Sequence, residues 1–363
     1  MVARRTGWAP VVAALLGAIA GCGGQSTTAS PGPRVAGDRI AVLDAPFGSD
    51  PNGVMLVRSD GTGAAHLLLP ADAEAIALAG NRLLVGGGGR LESIDSSGRA
   101  TSLGDLAGDT PDELVRGLVA SPDGHSWMWA SVRQQGDGTV VSTVWLAGDH
   151  RAPVSLLTRT ETGSALQPVA WTAAGPVLGD EPIGIGGYIL FRRSFGPTFR
   201  LDVQTGLLTS LAGQDCAFSD LSAQATLACV KDGREGPHGD GVVTLRLLPR
   251  SGPEIDVALP RSINQAGAAL FHGDGATLTL ALSPALGESG DQVECDLVDT
   301  RTGQRHTLGP DGITPVSWLP DGRLLAVRRP GVAGGEVGTY LVASDGSALR
   351  VAHSAEAIGL LHG

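Results

Sequence analysis

The sequence predicts an all-β chain closed into a ring of seven four-stranded blades, a seven-bladed β-propeller. Three observations predict it: glycine-marked turns recur along the chain, short alternating strands lie between them, and helical periodicity is nearly absent. Gly 54 and Pro 22 make up about a fifth of the 363 residues and are spread throughout rather than pooled. Apolar residues at 42% with 17% charged supply ample core and exclude a disordered chain. The length suits one large all-β domain.

The first element is an address. Residues 1–21 read as a signal peptide, with Arg4 and Arg5 as its positive start and an apolar stretch at 9–20. That stretch is too short to span a bilayer, which needs about 20 residues. It ends in Ile19-Ala20-Gly21-Cys22, which resembles the bacterial lipobox at all four positions. The resemblance implies that the Cys22 thiol receives a diacylglyceryl group and becomes the first mature residue, anchoring the chain to the membrane from outside the cytoplasm. The alternative is an ordinary cleaved signal with a chance Cys. Residues 22–33 then form a flexible tether, since a Gly/Ser/Thr/Pro stretch cannot pack. The folded body is expected over 34–363.

Each predicted blade carries two turn signals. The first joins an inner strand to the next: Ser121-Pro-Asp-Gly124, Thr172-Ala-Ala-Gly175, His272-Gly-Asp-Gly275 and Leu319-Pro-Asp-Gly322, with Ser222 and its neighbours as a worn copy. Alternating strands follow at 126–132, 224–230, 276–282 and 323–329. The second signal precedes the outermost strand, at Gly61, Gly98, Gly148, Gly206, Gly252, Gly303 and Gly346. Seven such glycines at roughly 47-residue spacing, with four short strands per unit, give seven blades, with six or eight as alternative counts. The best helical candidate is one short stretch at 111–118.

Closure is readable as well. Ala355-Glu-Ala-Ile358 repeats Ala73-Glu-Ala-Ile76, so 358–361 is expected to complete the blade begun by 39–69. Pairing the tail with the head leaves the ring without free ends.

Ser121-Pro-Asp-Gly124, Leu319-Pro-Asp-Gly322 and Tyr340-Leu-Val-Ala-Ser-Asp-Gly346 resemble the WD40-like (PD40) repeats of TolB-type propellers. The resemblance covers most of 34–363. It implies a scaffold rather than an activity. TolB itself works by binding protein partners, so the resemblance implies a binding role, and the same repeat precedes the catalytic domain of prolyl-oligopeptidase-like enzymes.

Charge excludes some partners. Lys+Arg 26 against Asp+Glu 37 gives −11, and without the leader's Arg4 and Arg5 the balance is 24 against 37, or −13. An acidic surface repels phosphate backbones, so no nucleic-acid partner is expected. Nucleophile elbows, phosphate loops, zinc signatures and calcium loops are missing from the sequence. No catalytic residue, metal site or cofactor is expected, and the eight His are scattered.

Cys216 and Cys229 fall on the first two strands of one blade and are expected to face each other as a disulfide, which export outside the cytoplasm favours. Two buried thiols are the alternative. Cys295 is left single, and a buried place on a strand is expected for it. Trp127 and Trp129 share one face of a strand and read as packing between blades.

Long connections between second and third strands, at 44–53, 133–139, 231–241, 283–291 and 329–337, should all emerge around one channel mouth. Several second strands end in a base: Arg133, Arg192, Lys231 and Arg328. These are the candidate residues for an anionic ligand or an acidic partner surface. The competing reading pairs them with neighbouring loop acids. The function expected is a lipid-anchored extracytoplasmic binding or scaffold module for a protein or glycan partner, acting as a monomer. The alternative is a propeller-type enzyme (lactonase, glycosidase or lyase class) with its site at the mouth.

Overall fold

A computed structural model describes residues 37–44, 53–70, 73–108, 112–183, 196–213, 215–232, 242–284, 292–332 and 335–362. Among them are seven antiparallel four-stranded sheets and no helix, so the seven-bladed ring stands. No helix is long and apolar enough to cross a membrane. Cys22, the tether and Arg192 lie outside the described residues.

The first blade holds β1 (Arg39–Leu43), β2 (Gly53–Val57) and β3 (Ala65–Leu68), with β28 (Ala357–Leu361) on the inner side of β1. Arg39 pairs with Leu361 and Ala41 with Gly359. The tail thus completes the head blade, as its repeat of the 73–76 pattern predicted. Blade 2 is β4 (Ala75–Ala79) to β7 (Ala100–Asp105). Blade 3 is β8 (Leu114–Ala120), β9 (Ser126–Gln134), β10 (Thr139–Gly148) and β11 (Arg151–Thr162). The helical candidate at 111–118 therefore falls mostly on a strand. Its Val115 and Leu118 pack between blades 2 and 3, and tertiary packing overrides so short a local pattern. Blade 4 runs from β12 (Ser164–Thr172) through β13 (Gly175–Pro182) and β14 (Thr198–Leu201) to β15 (Leu208–Ala212). Blade 5 runs from β16 (Ala217–Leu221) through β17 (Leu227–Asp232) and β18 (Val243–Leu248) to β19 (Ile255–Ala258). Blade 6 spans β20 (Gln265–Phe271) to β23 (Arg305–Thr307), with β21 (Thr277–Ser283) and β22 (Glu294–Asp299) between. Blade 7 comprises β24 (Thr314–Trp318), β25 (Leu324–Arg328), β26 (Gly338–Val342) and β27 (Ala348–Ala352).

The core is distributed. Seven apolar clusters fill the seven blade-to-blade interfaces, including the one between blades 7 and 1, where Ile40 and Val42 meet Leu325 and Val327. A propeller has no single centre to bury, so each blade must be apolar on both faces. Trp127 and Trp129 are fully buried between blades 2 and 3, as expected, and the Trp129 indole donates to the Ala107 carbonyl at 2.9 Å.

Turn chemistry sets the blade edges. Gly124, Gly275 and Gly322 have φ of +71°, +68° and +82°, which glycine adopts without strain. Blade 5 breaks the pattern: its turn places Ala225 at φ +61°. Six of the seven inner strands also carry a register shift against their neighbour, β4 alone being regular. Outer strands interlock with the following blade. A Cβ on Gly98 would strike Leu67, one on Gly206 the Leu156 carbonyl, and one on Gly303 the Val257 side chain.

Candidate functional site

Inner strands all start at the end of the channel where second strands finish, so that end is the mouth. The three predicted bases among the described residues, Arg133, Lys231 and Arg328, do not share one environment there. Arg133 is exposed at the end of β9, and Lys231 is half-buried at the end of β17, where its charge adds a little to the Arg246 hydrogen bond that chiefly holds Asp256 ionised. Arg328 is 3% exposed, stacked over the Tyr340 ring at 5.3 Å, and donates to the Asp311 carbonyl. A Cβ on Gly335 would collide with its guanidinium. Arg328 therefore ties the 308–313 link to blade 7 from inside, and partners distant in sequence set that role.

Other charges gather at the mouth through topology. Glu74, Glu113 and Glu356 each stand immediately before an inner strand, in the neighbouring blades 2, 3 and 1. Glu356 is perturbed: burial pushes its carboxyl above the usual range, and the Arg329 guanidinium offsets part of that. The Ala-Glu-Ala-Ile repeat marks this Glu in the sequence, though the repeat itself speaks only to strand register. Arg116 is the sole basic residue on the seven inner strands, and Asp220 the sole acid. Arg116 is half-buried, burial draws its guanidinium down, and no ion pair is seen for it among the described residues. Asp220 accepts the backbone N–H of Phe271 from the next blade at 2.8 Å.

Several other described charges on the rim are paired. Arg159 bridges Glu161 at 2.7 Å and Asp180 at 3.2 Å, and its guanidinium lies 5.4 Å from the Phe199 ring. His66 meets Asp44 at 3.1 Å. Among the described residues no three His, Cys, Asp or Glu side chains stand close enough to share a metal ion.

Cys216 and Cys229 form a disulfide with Cα atoms 5.4 Å apart. They do not face each other directly, however. Cys229 stands opposite Phe218, because the turn centres near Gln224 and the register slips between Phe218 and Asp220. Cys295 is 1% exposed, and burial first, then Asp296, pushes its thiol up to about 12, which leaves it unreactive.

Comparison with known proteins gives the fold. No protein-family model matches the chain, nor does any curated protein. Among solved structures, an oligogalacturonate lyase from Vibrio parahaemolyticus aligns with a TM-score of 0.54 at 8% identity, over 85% of this chain and 92% of that one. The acylaminoacyl peptidase of Pyrococcus horikoshii aligns with a TM-score of 0.53 at 11% identity, over 86% of this chain and 52% of the peptidase. The chain is similar to these β-propeller proteins in architecture. At such identities the likeness carries fold and no activity.

Proposed function

We propose that the chain is a binding or scaffold module, held outside the cytoplasmic membrane by lipid on Cys22 and offering its mouth loops to a protein or glycan partner. The observation that supports this is the state of the described mouth charges. Arg159 is engaged with Asp180 and Glu161, burial of Glu356 is offset in part by Arg329, and Arg328 is turned inward. Catalysis calls for a perturbed group left available to a substrate, whereas a docking surface needs only exposed shape and charge. Arg133 offers such an exposed charge.

The experiment has two arms. Growth with an alkyne fatty acid should label the full chain, and Cys22→Ser should abolish both the label and membrane fractionation. Cross-linking on intact cells should then capture a partner that Arg133→Glu loses and Arg301→Glu, a reversal at an exposed outer turn, retains. An unlabelled, soluble wild-type chain refutes the anchor. Equal capture by both variants refutes the mouth.

A further inference from the structure

Blade 3 differs from the other six at its outer edge. β11 runs for 12 residues, while β3, β7, β15, β19, β23 and β27 run for 3 to 6. Among the described residues its only strand partner is β10. Long free edges are templates for pairing and are usually guarded. The first half of β11 is guarded. Pro153 lacks an N–H, the register slips between Val144 and Trp145, and the Gly206 turn presses on the Leu156 carbonyl. The second half, 157–162, runs opposite 139–144 without interruption.

The outward groups can be assigned. Gly163 donates its N–H to the Gly138 carbonyl at 3.1 Å, in the same register as Thr139 with Thr162. Bonded pairs alternate along an antiparallel ladder, so Leu157, Arg159 and Glu161 aim their main-chain groups at β10. Thr158, Thr160 and Thr162 aim theirs outward, and among the described residues no backbone bond meets them. The Thr143 and Thr158 hydroxyls, 3.1 Å apart, fit the close spacing of a non-bonded pair.

The edge reads Thr158-Arg159-Thr160-Glu161-Thr162, which is the same from either end except that Arg and Glu exchange places. We propose that it binds the same edge of a second copy of this chain, antiparallel, about a two-fold axis at Thr160. Thr160 then exchanges main-chain bonds with Thr160 of the second copy, and Thr158 and Thr162 do so with each other, making about six bonds. The intervening pairs are the close non-bonded ones, and they set Arg159 against Glu161 of the second copy on both sides of the axis. An isologous contact of this kind closes at two copies and cannot run on into a fibre. Arg159 keeps Asp180 at 3.2 Å while Glu161 turns to the second copy, so neither charge is stranded. A monomer is the expectation from the sequence, and the self-complementary edge argues against it.

The test is sedimentation equilibrium of the full chain in density-matched detergent from about 1 to 100 µM. The wild type should pass from one copy to two over this range. Thr160→Pro removes an outward N–H while leaving the donors that face β10 in place, and Glu161→Arg sets like charges across the axis. Each should stay a single copy at 100 µM with wild-type far-UV circular dichroism. As a third arm, Thr139→Pro, which alters the covered strand, should keep the wild-type association if it folds. A wild type that remains a single copy at 100 µM overturns the proposal. So does a folded Thr160→Pro or Glu161→Arg chain that pairs as the wild type does.

Discussion

The backbone N–H of Leu43 donates to the carbonyl of Glu356 at 2.8 Å, joining the first described strand to the residue that leads into the last. The strand that follows Glu356 supplies Ile358 and Leu361 to the interface with blade 2 and Ala357 to the interface with blade 7. Two of the seven interfaces therefore depend on five residues at the end of the chain.

Deleting 356–363 should accordingly abolish cooperative folding of the whole ring rather than fray one blade. Far-UV circular dichroism during a thermal ramp checks this. A truncated chain that melts at the wild-type temperature would refute it.

Backbone strain at two inner-strand and turn positions gives opposite outcomes. Ala225 occupies φ +61°, where a non-glycine residue is strained by about 1–2 kcal/mol and glycine is not. After the entropy that glycine costs in the unfolded chain, Ala225→Gly should stabilise by roughly 0.5–1 kcal/mol in urea titration. Gly117 has φ +64°, and a Cβ there would lie 2.2 Å from the Pro168 carbonyl oxygen of the next blade. Gly117→Ala should cost about 2 kcal/mol or more.

Acid should weaken the outer turns. Asp60, Asp95 and Asp345 are held below their ordinary value of 3.8 chiefly by the hydroxyls of Thr62, Ser97 and Ser347, and Asp202 and Asp299 chiefly by backbone N–H groups. A depressed folded value means that the unfolded chain takes up the proton first. The stabilisation is complete above about pH 4 and is lost as pH falls through the folded values. The melting temperature should be flat from pH 7 to about 5 and drop below about 4. A melting curve that rises on acidification would contradict this assignment.

The disulfide should contribute measurably. Cys216 and Cys229 enclose a short loop, with a sequence separation of 13. Restricting a loop of that size in the unfolded chain is worth about 3 kcal/mol. Cys216→Ser/Cys229→Ser should lower stability by about 2–3 kcal/mol, and dithiothreitol should shift the wild-type melt in the same direction.

Blade count and ring closure were legible because local chemistry fixes them: glycine at the turns, and the Ala-Glu-Ala-Ile pattern at both 73 and 355. The Cys216–Cys229 pairing was legible, but its geometry was not. The blade 5 turn carries Ala225 where other blades carry glycine, which obscures where the turn centres, and a register slip between Phe218 and Asp220 leaves no local mark. The mouth was least legible. Arg328 faces inward because Tyr340, Asp311 and Gly335 surround it, and no pattern around residue 328 announces those neighbours. The ionisation of Glu356 depends on burial that only closure creates.

The interlock of outer strands with following turns has a direction. Leu67 leans on Gly98, Leu156 on Gly206 and Val257 on Gly303, always forward in the chain. A side chain added at one of these glycines, each at positive φ, would strain its own turn and also loosen the sector behind it. Damage would travel against the order of synthesis, and hydrogen exchange in such a variant would quicken one repeat upstream of the substitution.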